Sequence, residues 1–205
     1  MTSSPVPVCN TIAFNTDTFF QTEFEEHIKV AQESQKTLLK EFSKLLELCI
    51  HSLENNGKLI FFGNGGSAAD AQHLATEFTV RYKKDRKALA ALALTTDSST
   101  LTAIGNDFGF EHLFARQIEA LAKPQDIVIG ITTSGKSPNI ILALKKAKEL
   151  KIPIAALTGG TGGELKGLVD PLLIVPSHTT SRIQEMHITL GQMLCGAIEH
   201  KLNLA

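Results

Sequence analysis

Five short apolar runs, each followed by a segment of helical character, dictate what this chain can fold into. The runs are 58–62, 90–94, 126–131, 153–157 and 172–175. Beyond the leading Lys58 and Asp126 they are continuously apolar rather than alternating, as expected of parallel strands covered on both faces. Helical patterns occupy 67–82, 98–105, 111–121, 138–150 and 180–203. This alternation specifies an α/β fold: a doubly wound parallel sheet of about five strands flanked by helices, with right-handed crossovers. Such sheets bind ligands beyond the carboxyl ends of their strands. In this chain, glycine and hydroxyl residues accumulate there.

Ahead of the first run, residues 1–16 carry Pro5 and Pro7 and little periodicity, and read as a flexible arm. Residues 17–205 read as a single domain. Within 17–56 the apolar residues recur at spacings near three and four, with Asn55-Asn56-Gly57 as the stop. Polar residues from Gln32 to Lys36 are expected to divide this segment into two helices. Two helices before the first strand have no partner within a βαβ unit. They are left to cover the sheet or to pack against another subunit.

Composition narrows the partners. A formal net charge of −1, one tyrosine and no tryptophan argue against general nucleic-acid binding, which needs cations and stacking platforms. Cys9, Cys49 and Cys195 are too widely spaced for a metal-ligand cluster or an obvious disulfide framework. The amino terminus lacks a charged and then apolar leader, and no run is long enough to span a bilayer. A cytoplasmic location with no membrane contact is expected.

The chemistry concentrates in two strand–loop–helix units. In the first, Phe62 leads into Gly63-Asn64-Gly65-Gly66-Ser67 and then a helix. The glycines let the backbone turn sharply and approach a ligand. Ser67 is placed to cap the helix, with Asp70 at the capping-box position. The exposed N–H groups and dipole of that helix end suit a phosphate. His73 and Glu77, four residues apart, share one helical face. In the second unit, Thr132-Thr133-Ser134-Gly135-Lys136-Ser137 crowds four hydroxyls ahead of Pro138, which suits the first helical position. One hydroxyl loop alone is more simply a polar turn, but two in one sheet favour phosphate binding. Neither matches the dinucleotide or P-loop patterns. Asn106 and Asp107 read equally as a turn or as hydrogen-bond partners for sugar hydroxyls. On the last helix, Gln184 and Gln192 are separated by roughly 12 Å along a straight axis and about 80° around it. Both reach one small site only if the helix bends or a second subunit contributes.

These motifs, together with Thr95-Thr-Asp97, Gly105-Asn-Asp-Phe-Gly109 and Arg182-Ile-Gln-Glu-Met-His187, resemble the sugar isomerase (SIS) domain of the phosphoheptose isomerases over about residues 17–203. The resemblance implies an enzyme that converts sedoheptulose 7-phosphate to D-glycero-D-manno-heptose 7-phosphate, supplying the ADP-heptose route to lipopolysaccharide core. It implies a homotetramer with sites at subunit interfaces, and zinc as a cofactor. By motif, Asn64, Gly65, Gly66 and Ser67 line the sugar-phosphate substrate. Thr132, Thr133, Ser134 and Ser137 hold the phosphate, Asn106 and Asp107 bind the sugar chain, and Gln184 also faces the substrate. Glu77 matches the catalytic glutamate, while His73, Glu77 and Gln184 match zinc-ligand positions. Eight residues after Gln184, where the family carries its catalytic and zinc-binding histidine, this chain has Gln192. A carboxamide neither exchanges protons near neutral pH nor binds zinc well. The chain also resembles a non-catalytic SIS protein that binds the replication initiator, in Pro176-Ser177-His178 and Arg182–His187. That protein lacks the glutamate corresponding to Glu77.

Overall fold

A computed structural model describes residues 14–204, so the expected arm lies almost wholly outside the described residues. Helices α1 (Thr16–Thr37) and α2 (Leu39–Glu54) precede strand β1 (Leu59–Gly63). The chain continues through α3 (Gly66–Thr79), β2 (Ala91–Ala93), α4 (Ser98–Asp107), α5 (Ala115–Leu121) and β3 (Ile127–Ile131). It ends with α6 (Pro138–Glu149), β4 (Ile154–Gly159), β5 (Leu172–Val175) and α7 (Thr180–Lys201). The five strands are all parallel, in the order β2-β1-β3-β4-β5. The winding therefore reverses between β1 and β3, and a crevice opens beyond their carboxyl ends.

The continuous apolar runs have the predicted cause. Successive residues of β1 point to opposite faces. Leu59 and Phe61 join a core layer under α2, α3 and α7. Ile60 and Phe62 join a second layer under α5 and α6. Strand β3 divides likewise, Ile127, Ile129 and Ile131 against Val128. Helix α7 packs tightly beside α3: a Cβ on Gly191 would come within 2.5 Å of the Leu74 side chain. Close approach at Gly191 brings the neighbouring residue, Gln192, up to α3.

Three expectations need correction. The first two helices part at Leu38, not within Gln32–Lys36. Ser34 within that stretch is buried, and Leu38, 5% exposed, turns into the core while its N–H still bonds Ser34 O at 3.0 Å. The helix expected over 111–121 is a 3₁₀ turn at Phe110–His112 followed by α5, because Leu113 and Phe114 turn into the core between them. Ser67 does not cap α3. Gly65, at φ +54°, holds the cap position, and Ser67 is buried inside the helix. Asp70 closes no capping box either: its Oδ2 is buried without a hydrogen-bond partner.

Of the two leading helices, α2 covers the sheet and contributes Leu45 and Cys49 to the core. Helix α1 lies along α7, tied by Arg182. This buried side chain donates to Glu23 O at 2.6 Å and pairs with Glu23 and Glu185 at 3.1 and 2.8 Å. The other side of α1 leaves Phe19, Phe20, Phe24 and Ile28 about half exposed.

Candidate active site

Both glycine–hydroxyl loops leave adjacent strands at the point of reversal, and two asparagines lock them together. Asn64 donates to Asn139 Oδ1 at 2.9 Å, and Asn139 returns a bond to Asn64 Oδ1 at 2.8 Å. Asn139 is 1% exposed and Asn64 half-buried, so this reciprocal pair is a partly buried strut between the start of α3 and the start of α6. Sequence reasoning assigned Asn64 to the ligand and did not single out its partner. Gly65 and Gly66 are exposed beside it, open to a ligand.

In the second loop Thr132 is buried, Thr133 half-buried and Ser134 exposed. Ser134 Oγ accepts from Lys136 N at 3.2 Å. Ser137 occupies the cap position of α6 without spending its hydroxyl on the helix, and Pro138 is the first helical residue as expected. Gly135 is obligatory: its φ is +64°, and a Cβ there would meet Gly162 O at 2.3 Å. Thr133, Ser134 and Lys136 line a cleft of about 370 Å³ with Gly160, Thr161 and His178 from the loops after β4 and β5. A ring of hydroxyls with one lysine and one histidine at a helix N-terminus can hold a phosphomonoester. Thr161 and His178 were not assigned to the site from sequence. Only topology brings those loops to the same sheet edge.

Helix α3 carries His73 about two turns and Glu77 about three turns beyond Gly66. His73 Nε2 lies 3.1 Å from Glu77 Oε1, with the histidine side chain 52% exposed and the glutamate 20%. From α7, Gln192 Nε2 reaches Glu77 Oε1 at 3.4 Å and His73 Nε2 at 3.1 Å. Burial pushes the Asp70 carboxyl above its ordinary range, partly offset by His73. Gln184 does not join this group. It lies against Gly66, where a Cβ would come within 2.6 Å of its Nε2. The straight α7 thus places its two glutamines at opposite ends of α3, as their separation along the helix requires. His187 faces away, buried against Thr158 O at 3.2 Å, and burial lowers its pKa to about 4. Asn106 and Asp107 end α4, bonded to each other at 2.7 Å and exposed. Asp97 caps that helix through Thr100 N at 3.0 Å.

For a zinc ion, this donor set falls short. One imidazole and one carboxylate converge, and the third group offered is a carboxamide whose nitrogen faces them. Among the described residues no three histidine, cysteine, aspartate or glutamate side chains come together. Zinc sites ordinarily use three or four such ligands.

A model of the SIS domain matches residues 23–159. The chain belongs to the SIS domain family. Relatives of this chain include phosphoheptose isomerases. The protein of that name from Paramagnetospirillum magneticum is 54% identical over 182 residues, 89% of this chain and 95% of that protein. Among solved structures, the phosphoheptose isomerase of Neisseria gonorrhoeae is 44% identical with a TM-score of 0.85. That of Francisella tularensis is 36% identical with a TM-score of 0.88. Each covers 91% of this chain and 100% of its own. The SIS assignment and the parallel five-stranded fold expected from sequence therefore both hold.

Proposed function

We propose that this SIS-domain chain is a phosphoheptose isomerase. It interconverts sedoheptulose 7-phosphate and D-glycero-D-manno-heptose 7-phosphate, and so supplies heptose for lipopolysaccharide core. The observation that carries this reading is the placement of Glu77. It is a largely buried carboxylate on α3, about three helical turns beyond a glycine loop locked to a hydroxyl loop.

The reaction moves a proton between adjacent carbons. The phosphate rests on the Thr132–Ser137 loop, and the hydroxyls of the sugar meet Asn64 to Gly66, Gln184 and the Asn106-Asp107 end of α4. Glu77 takes the proton from the carbon next to the carbonyl, leaving an enediol, and returns it to the neighbouring carbon. A second proton must pass between the two oxygens. His73 is the titratable side chain in contact with Glu77 and takes that part. Gln192 donates a hydrogen bond to Glu77 and fixes its orientation, but does not exchange a proton. Purified chain given sedoheptulose 7-phosphate should yield the aldose phosphate, read by following both sugars by NMR. No turnover, with or without added zinc, would overturn the enzyme assignment.

The half-exposed phenylalanines of α1 support assembly into a homotetramer. Light scattering on the purified chain should give four times the 22.2 kDa chain mass. A monomer at micromolar concentration would count against it.

A further inference from the structure

We infer that Gln192 closes the His73–Glu77 pair into a hydrogen-bonded centre that takes no zinc, and that the residue at 192, not the fold, keeps the ion out. Three polar atoms lie mutually at 3.1, 3.1 and 3.4 Å: His73 Nε2, Glu77 Oε1 and Gln192 Nε2. Glu77 fixes which end of the carboxamide points inward. The nitrogen donates to the carboxylate, whereas the oxygen would face another unprotonated oxygen at that distance. The inward nitrogen has no lone pair to offer a cation. For zinc to enter, the carboxamide must turn over, lose its bond to Glu77, and present a neutral oxygen as a weak third ligand. Gln184 cannot compensate, because it sits against Gly66. The spacing of the three atoms is nonetheless close to that around a small ion, whose ligands at 2.0–2.1 Å stand roughly 3.3 Å apart. One strong donor at 192 would therefore complete a site.

The test reads metal rather than turnover, so its outcome is independent of the isomerase reading. Full-length chain is stripped with chelator, exposed to zinc sulfate and desalted. Its metal content is measured, and affinity is found by competition with a chromophoric chelator. Wild type and His73→Ala should retain the same background. Gln192→His should retain one further ion per chain, at least roughly tenfold tighter than background, and the additional His73→Ala should remove it. Gln192→Glu keeps the length of the side chain and adds a carboxylate donor, so it should gain zinc as well if the histidine variant folds poorly. A per-chain zinc in wild type that His73→Ala abolishes would overturn the inference. So would folded Gln192→His and Gln192→Glu proteins that hold no more zinc than wild type.

Discussion

Glu77→Gln should lower turnover of sedoheptulose 7-phosphate by about 10²–10⁴-fold, the range that a positioned general base contributes. The substitution keeps the volume and reach of the side chain, so His73 and Gln192 retain a partner at 77. Glu77 carries no buried ion pair; its polar neighbours are an exposed histidine and a carboxamide. Melting temperature and circular dichroism should therefore stay close to wild type, and KM should change little, because phosphate and sugar are held by other loops. A kcat loss with KM unchanged separates the loss of a base from the loss of binding. Exchange of the transferred hydrogen with deuterated solvent should fall in step with turnover. Activity within tenfold of wild type would move the base elsewhere, and Asp70, half-buried on the same helix with a buried, unpartnered Oδ2, would be the next carboxyl to test.

The sheet was legible because its signal is redundant. Each strand is built on an apolar run, with Thr158 near the end of β4 its one polar side chain, and Pro138 and the Asn55-Asn56-Gly57 stop mark boundaries through backbone chemistry that tertiary contacts seldom override. What misled was local chemistry with a competing solution. Ser67 looked like a cap, yet Gly65 turns the chain two residues earlier and leaves the serine inside the helix. The polar stretch Gln32–Lys36 looked like a break, but polarity alone does not end a helix, and the parting falls where Leu38 turns inward. For the site, residues near a glycine loop were readable because their helix positions follow from the loop itself. The Asn64–Asn139 strut and the placement of His178 beside Thr133 depend on which strands are neighbours. Sequence spacing does not contain that information. Helical arithmetic did foresee that Gln184 and Gln192 could not share one small site on a straight helix.

Arg86, in a polar stretch that no motif marks, should prove one of the costliest side chains to remove. Its guanidinium and the Glu199 carboxylate pair at 2.7 Å with both side chains 2% exposed. Arg86 also donates to Glu77 O and Phe78 O at 2.9 Å each, taking up carbonyls in the last turn of α3. Glu199 accepts from Tyr82 N and Lys83 N at 3.1 and 3.3 Å. The pair thus ties the end of α3, where Glu77 sits, to α7, which presents Gln192. Arg86→Ala leaves a buried carboxylate unpaired and should cost about 3–5 kcal/mol, lowering the melting temperature on the order of 10 °C. The pH dependence has a definite sign. Burial raises the Glu199 pKa, but the Arg86 bond and the two N–H donors outweigh it, and the net shift is downward. A depressed carboxyl stabilises the fold above its unfolded value, about 4.3, and loses that stabilisation as pH falls through the lower folded value. Without Arg86, burial dominates and Glu199 takes up a proton more readily, which relieves the penalty. The difference between wild type and Arg86→Ala in urea melts should therefore be largest near neutral pH and shrink toward pH 4. A difference under about 1 kcal/mol at pH 7, the range of an exposed pair, would mean that solvent reaches this pair. It would also mean that the geometry of Glu77 does not depend on it.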